Sequence, residues 1–427
     1  MSRPMSRGMS HGMSRGMVGG YGGYLTDWRF SNGLPGGFTD YHSRDGVAYR
    51  VGPSGYWEEV SADVPRLTYD SETGRIRGYL HEQSATNLIV NSSDFGAAPW
   101  SDVRVARSAS LETDPFGGTG ATKLAASVDN NTHRVDYVST TAVMAGEDRA
   151  FSVFAKEGEY DGLALSIDVN SPLQTIRTAI FDLANGVVST EGAEVTAKIE
   201  RFRNGWYRCS ITASLADPLE FVQRAQVSVV DMNGGSPLVS FAGDGSDGIH
   251  LYHAQIEDSL TVTSPIPTSG LAVTRAEDIV ERVYPELLES ENVSLFMAYT
   301  PHNTEHRQNA MRLIEEGAAS NQFGFDLQRN STLHYFINRG DAITDPNDGN
   351  LSRVGETLPY RMSLTYDADR RFVAMGAETN SQTNPNEDLA TRGLNQLQLG
   401  NGADGIYERI IIDDRLWTDE EAIALAN

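Results

Sequence analysis

The stretch LYHAQIEDSLTVTSPIPTSGLAVTRAEDI, Leu251 to Ile279, decides how this chain is divided. Its opening, Leu251-Tyr252-His253-Ala254-Gln255-Ile256-Glu257, alternates apolar and polar side chains as a half-buried strand does. Turn signals follow at Ser264-Pro265, Ile266-Pro267 and Ser269-Gly270. Proline has no backbone donor and drives the residue before it into extended backbone. Residues 261–279 therefore read as a stiff, extended linker rather than a helix. The chain is β-rich on both sides of it, which predicts two units joined here.

Upstream, short alternating runs recur at 101–109, 121–128, 133–140, 149–156, 162–169, 176–182, 195–202, 206–214, 221–231, 236–242 and 249–257. Turn residues separate them, the spacing of an all-β sandwich. Residues 81–260 are expected to form one jelly-roll-type sandwich, with Trp100, Phe151, Phe154, Trp206 and Tyr252 in its core. Downstream, 280–427 repeats the pattern at 292–300, 309–316, 322–329, 333–338, 360–367, 371–377, 394–400 and 405–414. Polar loops are expected at Pro346–Asn350 and Thr379–Asp388. Thr418 with Glu421 three residues on forms a capping box and predicts one short C-terminal helix. Residues 25–80 scatter aromatics among the hairpin signals Asp45-Gly46 and Thr73-Gly74 and read as a small aromatic-rich β attachment module. Residues 1–24 repeat Met-Ser-Arg-Gly-like units, with Met1, Met5, Met9, Met13 and Met17 four apart. Such a segment cannot bury a core. It is a flexible tail, or an anchor whose methionines adapt to a partner's grooves. The fold class is all-β: two tandem antiparallel β-sandwiches after a small β-rich N-terminal region, closed by one helix.

The chain has 427 residues and a formal net charge of -24. That charge repels phosphate backbones and argues against a nucleic-acid partner. Cys209 is the one cysteine, so no disulfide forms within a chain. No apolar run approaches the roughly 18 residues of a membrane span. The N-terminus lacks the apolar segment of a secretory signal. Release in a particle by lysis satisfies both facts if the protein acts outside a cell.

Four pieces resemble a pattern of bacteriophage virion proteins. They are Gly78-Tyr79-Leu80-His81-Glu82-Gln83-Ser84-Ala85-Thr86-Asn87-Leu88-Ile89-Val90-Asn91-Ser92-Ser93-Asp94-Phe95 with Trp100, then Asn204-Gly205-Trp206-Tyr207-Arg208-Cys209-Ser210. Gly243-Asp244-Gly245 through Glu257 is the third, and Ser264-Pro265-Ile266-Pro267-Thr268-Ser269-Gly270 with Val273-Thr274-Arg275-Ala276 is the fourth. In this order they are similar to the carbohydrate-binding-module-like sandwich of phage tail fibres, over about 65–280. His81 stands where that pattern has an acidic residue and Pro265 where it has tyrosine. The last third resembles, more thinly, a concanavalin-like or laminin-G-like sandwich.

The resemblance implies a virion protein, a tail fibre or receptor-binding appendage, that meets other virion proteins through its N-terminal region and host surface polysaccharide through its sandwiches. It implies a homotrimer, a virion location and no enzymatic activity. A head fibre or capsid decoration protein, and a polysaccharide hydrolase or lyase, stay open as alternatives. No nucleophile elbow, phosphate loop or zinc helix marks a catalytic centre.

The concanavalin-like resemblance makes Asn338, Arg339, Asp341, Asn401 and Asp404 candidate sugar-binding residues. Trp206 and Tyr207 are adjacent and face opposite sides of a strand, so one is core. Tyr207 is the candidate to stack on a sugar ring, with packing as its alternative. Cys209 reads as a buried, inert thiol. Asp244 and Asp247 bracket a Gly-rich turn that suits either a calcium ion or turn formation. Asp341, Asp345, Asn347, Asp348 and Asn350 make a second such loop. His302 and His306 lie in a polar segment expected to be solvated.

Overall fold

The computed structural model describes residues 23–143, 147–169, 176–215, 221–288, 290–303, 308–315, 318–328, 332–338, 349–352, 358–367, 369–383 and 394–427. The middle of the chain forms the expected sandwich. One six-stranded sheet runs Thr196–Arg201, Tyr207–Leu215, Glu147–Lys156, Gly248–Glu257, Thr122–Ala126 and Val105–Ala109. The facing sheet runs Val187–Glu191, Ile176–Asp182, Gly162–Val169, Phe221–Val230, His133–Val143 and Trp100–Val103. Every pairing is antiparallel. The two-residue period explains the core. Cys209, Ile211 and Ala213 point inward from one sheet and meet Leu163, Leu165, Ala225, Val227 and Val229 from the other. The run expected at 101–109 is two strands in different sheets, because Arg104 at φ 55° turns the chain across the sandwich edge.

Trp100 and Phe151 lie in this core as expected. Phe154 and Trp206 are equally buried but on the outer side of the sheet, where Val51 and Trp57 of the N-terminal segment cover them. Tyr252 packs beside that outer cluster, partly buried, and not in the core.

The last sandwich corrects the expected domain boundaries. Its first sheet orders Glu378–Thr383, Arg370–Met375, Tyr360–Tyr366, Val293–Pro301 and Gly405–Asp413, then continues into Ile76–His81 and Arg66–Tyr69. Thr26–Arg29 also pairs with Gly405–Asp413, in the register Trp28↔Ile410. The second sheet begins with His42–Ser43 against Ile279–Val283. Trp28, Phe30, Phe38 and Tyr79 share one core with Met297, Met362 and Ile410. Residues 25–80 are therefore no separate module. Their aromatic side chains close a core that residues 280–427 leave open. The polar stretch expected as a loop from Thr379 is an edge strand, Glu378–Thr383, laddered on Arg370–Met375. The terminal helix Asp419–Ala426 forms with its full capping box at Thr418 and Glu421.

Residues 261–279 are not a linker either. Pro265 is buried, and its neighbours need no free donors. Ile266 N donates to Gln255 Oε1 at 2.8 Å, and Ile266 O accepts from Asn87 Nδ2 at 3.0 Å. Val273–Arg275 pairs with Ala85–Asn87. Asp278, wholly buried, accepts from Arg44 Nη1 at 2.9 Å, from Glu82 N at 3.0 Å and from Arg66 Nη2. Arg66 Nη1 in turn meets Glu82 Oε2 at 2.6 Å. Burial alone raises the Asp278 carboxyl, but Arg66, His81 and Arg275 outweigh it and hold it at about 2. Burial opposes ionisation of Glu82 too, and Arg66 and Arg275 hold it far below the usual carboxylate range.

Asp278→Ala leaves two buried guanidinium groups short of their anion. It should cost about 3–5 kcal/mol in urea denaturation, against under about 1 kcal/mol for Glu72→Ala, which breaks the exposed Arg201–Glu72 pair.

Candidate functional site

One built recess, walled on several sides, lies where the outer face of the middle sandwich meets the N-terminal strands. Strand alternation makes its first wall. In Tyr207–Leu215 the odd residues enter the core, which turns Arg208, Ser210 and Thr212 outward. The adjacent strand aligns Glu200, Lys198 and Thr196 opposite them. The second wall is the hairpin Arg66–Tyr69 and Ile76–His81, which contributes Thr68, Tyr69, Arg77 and Leu80. That hairpin turns at Asp70, whose carboxylate accepts from Thr73 N at 2.7 Å, and the Thr73 hydroxyl and amide hold it below its ordinary value. Leu260, Val262 and Thr263 close one end, and His302 with Asn303 closes another. The cleft has a volume of about 220 Å³.

Its charges are arranged in a fixed way. Arg208 is buried, donates to Thr263 O at 2.7 Å and Ser152 Oγ at 3.1 Å, and lies over the Phe154 ring at 5.5 Å. Lys198 Nζ meets Glu200 Oε1 at 2.8 Å. Burial pushes the Glu200 carboxyl up, and Lys198 and Arg208 outweigh it, so it stays ionised. Arg201 Nε meets Glu72 Oε1 at 2.7 Å. His302, expected to be solvated, instead stands with Nδ1 at 3.7 Å from Glu82 Oε1. Burial lowers it to about 4 against the pull of Glu82, so the ring is neutral at pH 7. Side by side, the walls present hydroxyls, an aromatic ring, apolar side chains and fixed charges. That mixture fits a polar ring with an apolar face, such as a pyranose.

The sequence-predicted residues fare differently. Tyr207 is 7 % exposed and points into the sandwich core, so it cannot stack on a sugar. The space beyond its ring is taken by Gly186, where an added Cβ would come within 2.7 Å of it. Asp244 spends its oxygens on its own turn, accepting from Ser246 N, Ser246 Oγ and Asp247 N at 2.8–2.9 Å. Those bonds lower it to about 2, led by the Asp247 and Ser246 amides. The turn-forming alternative thus accounts for Asp244, and Asp247 enters the turn through its backbone amide. Among the described residues no group of three or more His, Cys, Asp or Glu side chains is placed to hold a metal ion. Asn338 and Asn401 end the strands Thr332–Asn338 and Leu394–Asn401. Arg339 and Asp341 lie outside the described residues, as do Met1, Met5, Met9, Met13, Met17 and His306.

Asp404 belongs to the seam and not to the cleft. Its carboxylate accepts from Gln83 N at 2.6 Å in a second recess, with Glu257 and Asp258 nearby. Cys209 is buried, and burial pushes its thiol well up, as an inert thiol requires. Arg77, Lys198 and Arg208 were absent from the sequence-level candidates. The alternation around Trp206 and Tyr207 would have placed Arg208 outward once Tyr207 was known to point in.

No family model matches the chain, and no curated protein sequence matches it. Among solved structures it is similar to the carbohydrate-binding module CBM40 of a Ruminococcus gnavus IT-sialidase bound to α2,6 sialyllactose. That similarity is at 12% identity and a TM-score of 0.29, and it covers 33% of this chain and 86% of that one. The same module bound to α2,3 sialyllactose matches at 11% identity and 0.29, with the same coverage. A leech intramolecular trans-sialidase complexed with 2,7-anhydro-Neu5Ac matches at 12% and 0.29, over 33% of this chain and 24% of that one.

Asp404 gives the site region a pH signature. Burial raises its carboxyl to about 7, and Glu82 adds to the rise against the Gln83 amide. The folded chain then keeps a proton that the unfolded chain releases near 3.8. Stability from this group falls as pH rises from about 4 through about 7. Asp404→Asn keeps an acceptor for Gln83 N and cannot ionise. Its melting temperature should exceed that of the wild type by about 2–4 °C at pH 8 and match it at pH 4.

Proposed function

We propose that this chain is a structural protein of a bacteriophage particle, a tail fibre or related receptor-binding appendage that holds the particle to host surface polysaccharide without cleaving it. The N-terminal region would meet other virion proteins. The sandwiches would project outward, as homotrimers by the resemblance, and repeated copies would raise avidity over the single-site affinity.

One observation carries this reading. Three of the four stretches that resemble phage virion sandwiches bind one another. Glu82 accepts from Ser264 N and Oγ, each at 2.6 Å. Asn87 bridges Ala254, Ile256 and Ile266. Thr268 exchanges hydrogen bonds with Ser92, and Arg275 donates to Gln83 O at 2.6 Å. The similarity in sequence therefore falls on residues with a joint structural task. That is harder to reach by chance than four unrelated matches. The β-sandwich fold and the amphiphilic cleft support the glycan-binding part, and the charge of -24 fits a partner other than nucleic acid.

Purified full-length chain should bind host cells and lose that binding when their surface polysaccharide is oxidised with periodate, with no reducing ends released. Antibody labelling should find it on a projecting appendage of the particle. Equal binding to stripped cells, or steady release of reducing ends, would overturn the adhesive reading.

A further inference from the structure

We propose that the cleft between the middle sandwich and the Arg66–His81 hairpin binds a carboxylate-bearing sugar residue, with Arg77 as the cation that meets the carboxylate. The inference rests on the glycan-binding reading above and adds the class of sugar.

The charges left over in the cleft point to such a ligand. Every carboxylate lining the cleft already has partners. Glu82 is held by Arg66 and by both Ser264 donors, Glu200 by Lys198, and Asp70 by the amides of its own turn. Three of the lining cations are likewise engaged. Lys198 and Arg201 are in ion pairs, and Arg208 is fixed within its wall by Thr263 O and Ser152 Oγ. Arg77 is the fourth. It is exposed, and among the described residues it closes no ion pair and no side-chain hydrogen bond. Asp70, His302 and Glu408 lie close enough to feel its charge, yet none of them comes within bonding distance.

The unmet charge of this cleft is therefore positive, in a chain that carries -24 overall. Within the cleft, the spared cation sets where an acidic ligand can approach. A guanidinium pairs with a carboxylate through two parallel N–H bonds. Around it the cleft supplies what a sugar ring needs. Thr68, Ser210 and Thr212 offer hydroxyls, and Tyr69 stands partly buried with its ring held by Arg50 at 5.8 Å. The cleft is a composite of two units tied by buried ions, so its shape is set before any ligand arrives.

The test prints bacterial surface polysaccharides in native form and after chemical reduction of their carboxyl groups, and measures binding of the full-length chain. Binding should fall on carboxylate-bearing samples and drop on the order of 10- to 100-fold after reduction. Arg77→Gln should lose the same factor on the native form and no longer distinguish the two forms. Arg75→Gln, an exposed cation on the same hairpin that does not line the cleft, should behave as wild type. Wild-type binding that is indifferent to carboxyl reduction, or an Arg77→Gln variant that still discriminates, overturns this inference and leaves glycan binding standing. Binding to none of the polysaccharides overturns both.

Discussion

Asp278 is the residue on which the architecture turns. Its carboxylate takes Arg44 from one side and Arg66 from the other, and Arg66 carries the chain of charge on to Glu82. All four side chains are excluded from water. A buried network of this kind adds little net stability over an apolar packing of the same shape, because desolvation offsets most of the Coulomb attraction. What it does supply is intolerance of error. Arg44 and Arg66 come from the N-terminal segment, Glu82 from the entry to the middle sandwich and Asp278 from the stretch after it. Any arrangement that fails to bring these together strands a charge in the interior. The network thus selects one relative placement of three segments more strongly than it stabilises it.

That selection explains the unusual ownership of strands. The last sandwich is completed by Thr26–Arg29, Arg66–Tyr69 and Ile76–His81, all more than two hundred residues before its strand Val293–Pro301. Between them, Val51 and Trp57 leave to cover the outer face of the middle sandwich at Phe154 and Trp206. The N-terminal segment therefore belongs to both sandwiches. It works as a strap, and the cleft is the gap left beneath it. The two-unit picture survives for the cores, which are separate, but not for the chain that builds them.

Local chemistry was legible in the sequence and long-range chemistry was not. The capping box at Thr418 and Glu421 needs only residues three apart, and the alternation of the middle strands needs only a window of a few residues. The pairing of Thr26 with Ile412 has no local signature, because an antiparallel ladder does not dictate how far away its partner lies. Pro265 and Pro267 misled for a related reason. Prolines mark exposed linkers when backbone donors between them need water. Here Ile266 finds both its partners in side chains, Gln255 and Asn87, so the segment can be buried. For the candidate site the sequence placed Tyr207 at the right strand but on the wrong face, since alternation fixes relative and not absolute phase. The sequence around His302 reads as a solvated loop because nothing near it in sequence reveals Glu82.

The same constraint makes the motif stretches legible in the sequence and leaves the ligand illegible. Glu82, Asn87, Ser264, Thr268, Arg275 and Asp278 each satisfy, or are satisfied by, a specific buried group elsewhere in the seam. A change at any one strands a partner, so their identities are tightly constrained by the fold itself. The exposed side chains of the cleft answer to no such demand. Lys198 and Glu200, or Arg201 and Glu72, could be exchanged for other exposed pairs at little structural cost. Ligand choice is thereby separated from framework. The strap and seam hold two walls at a fixed distance, and the side chains on those walls are free to be tuned.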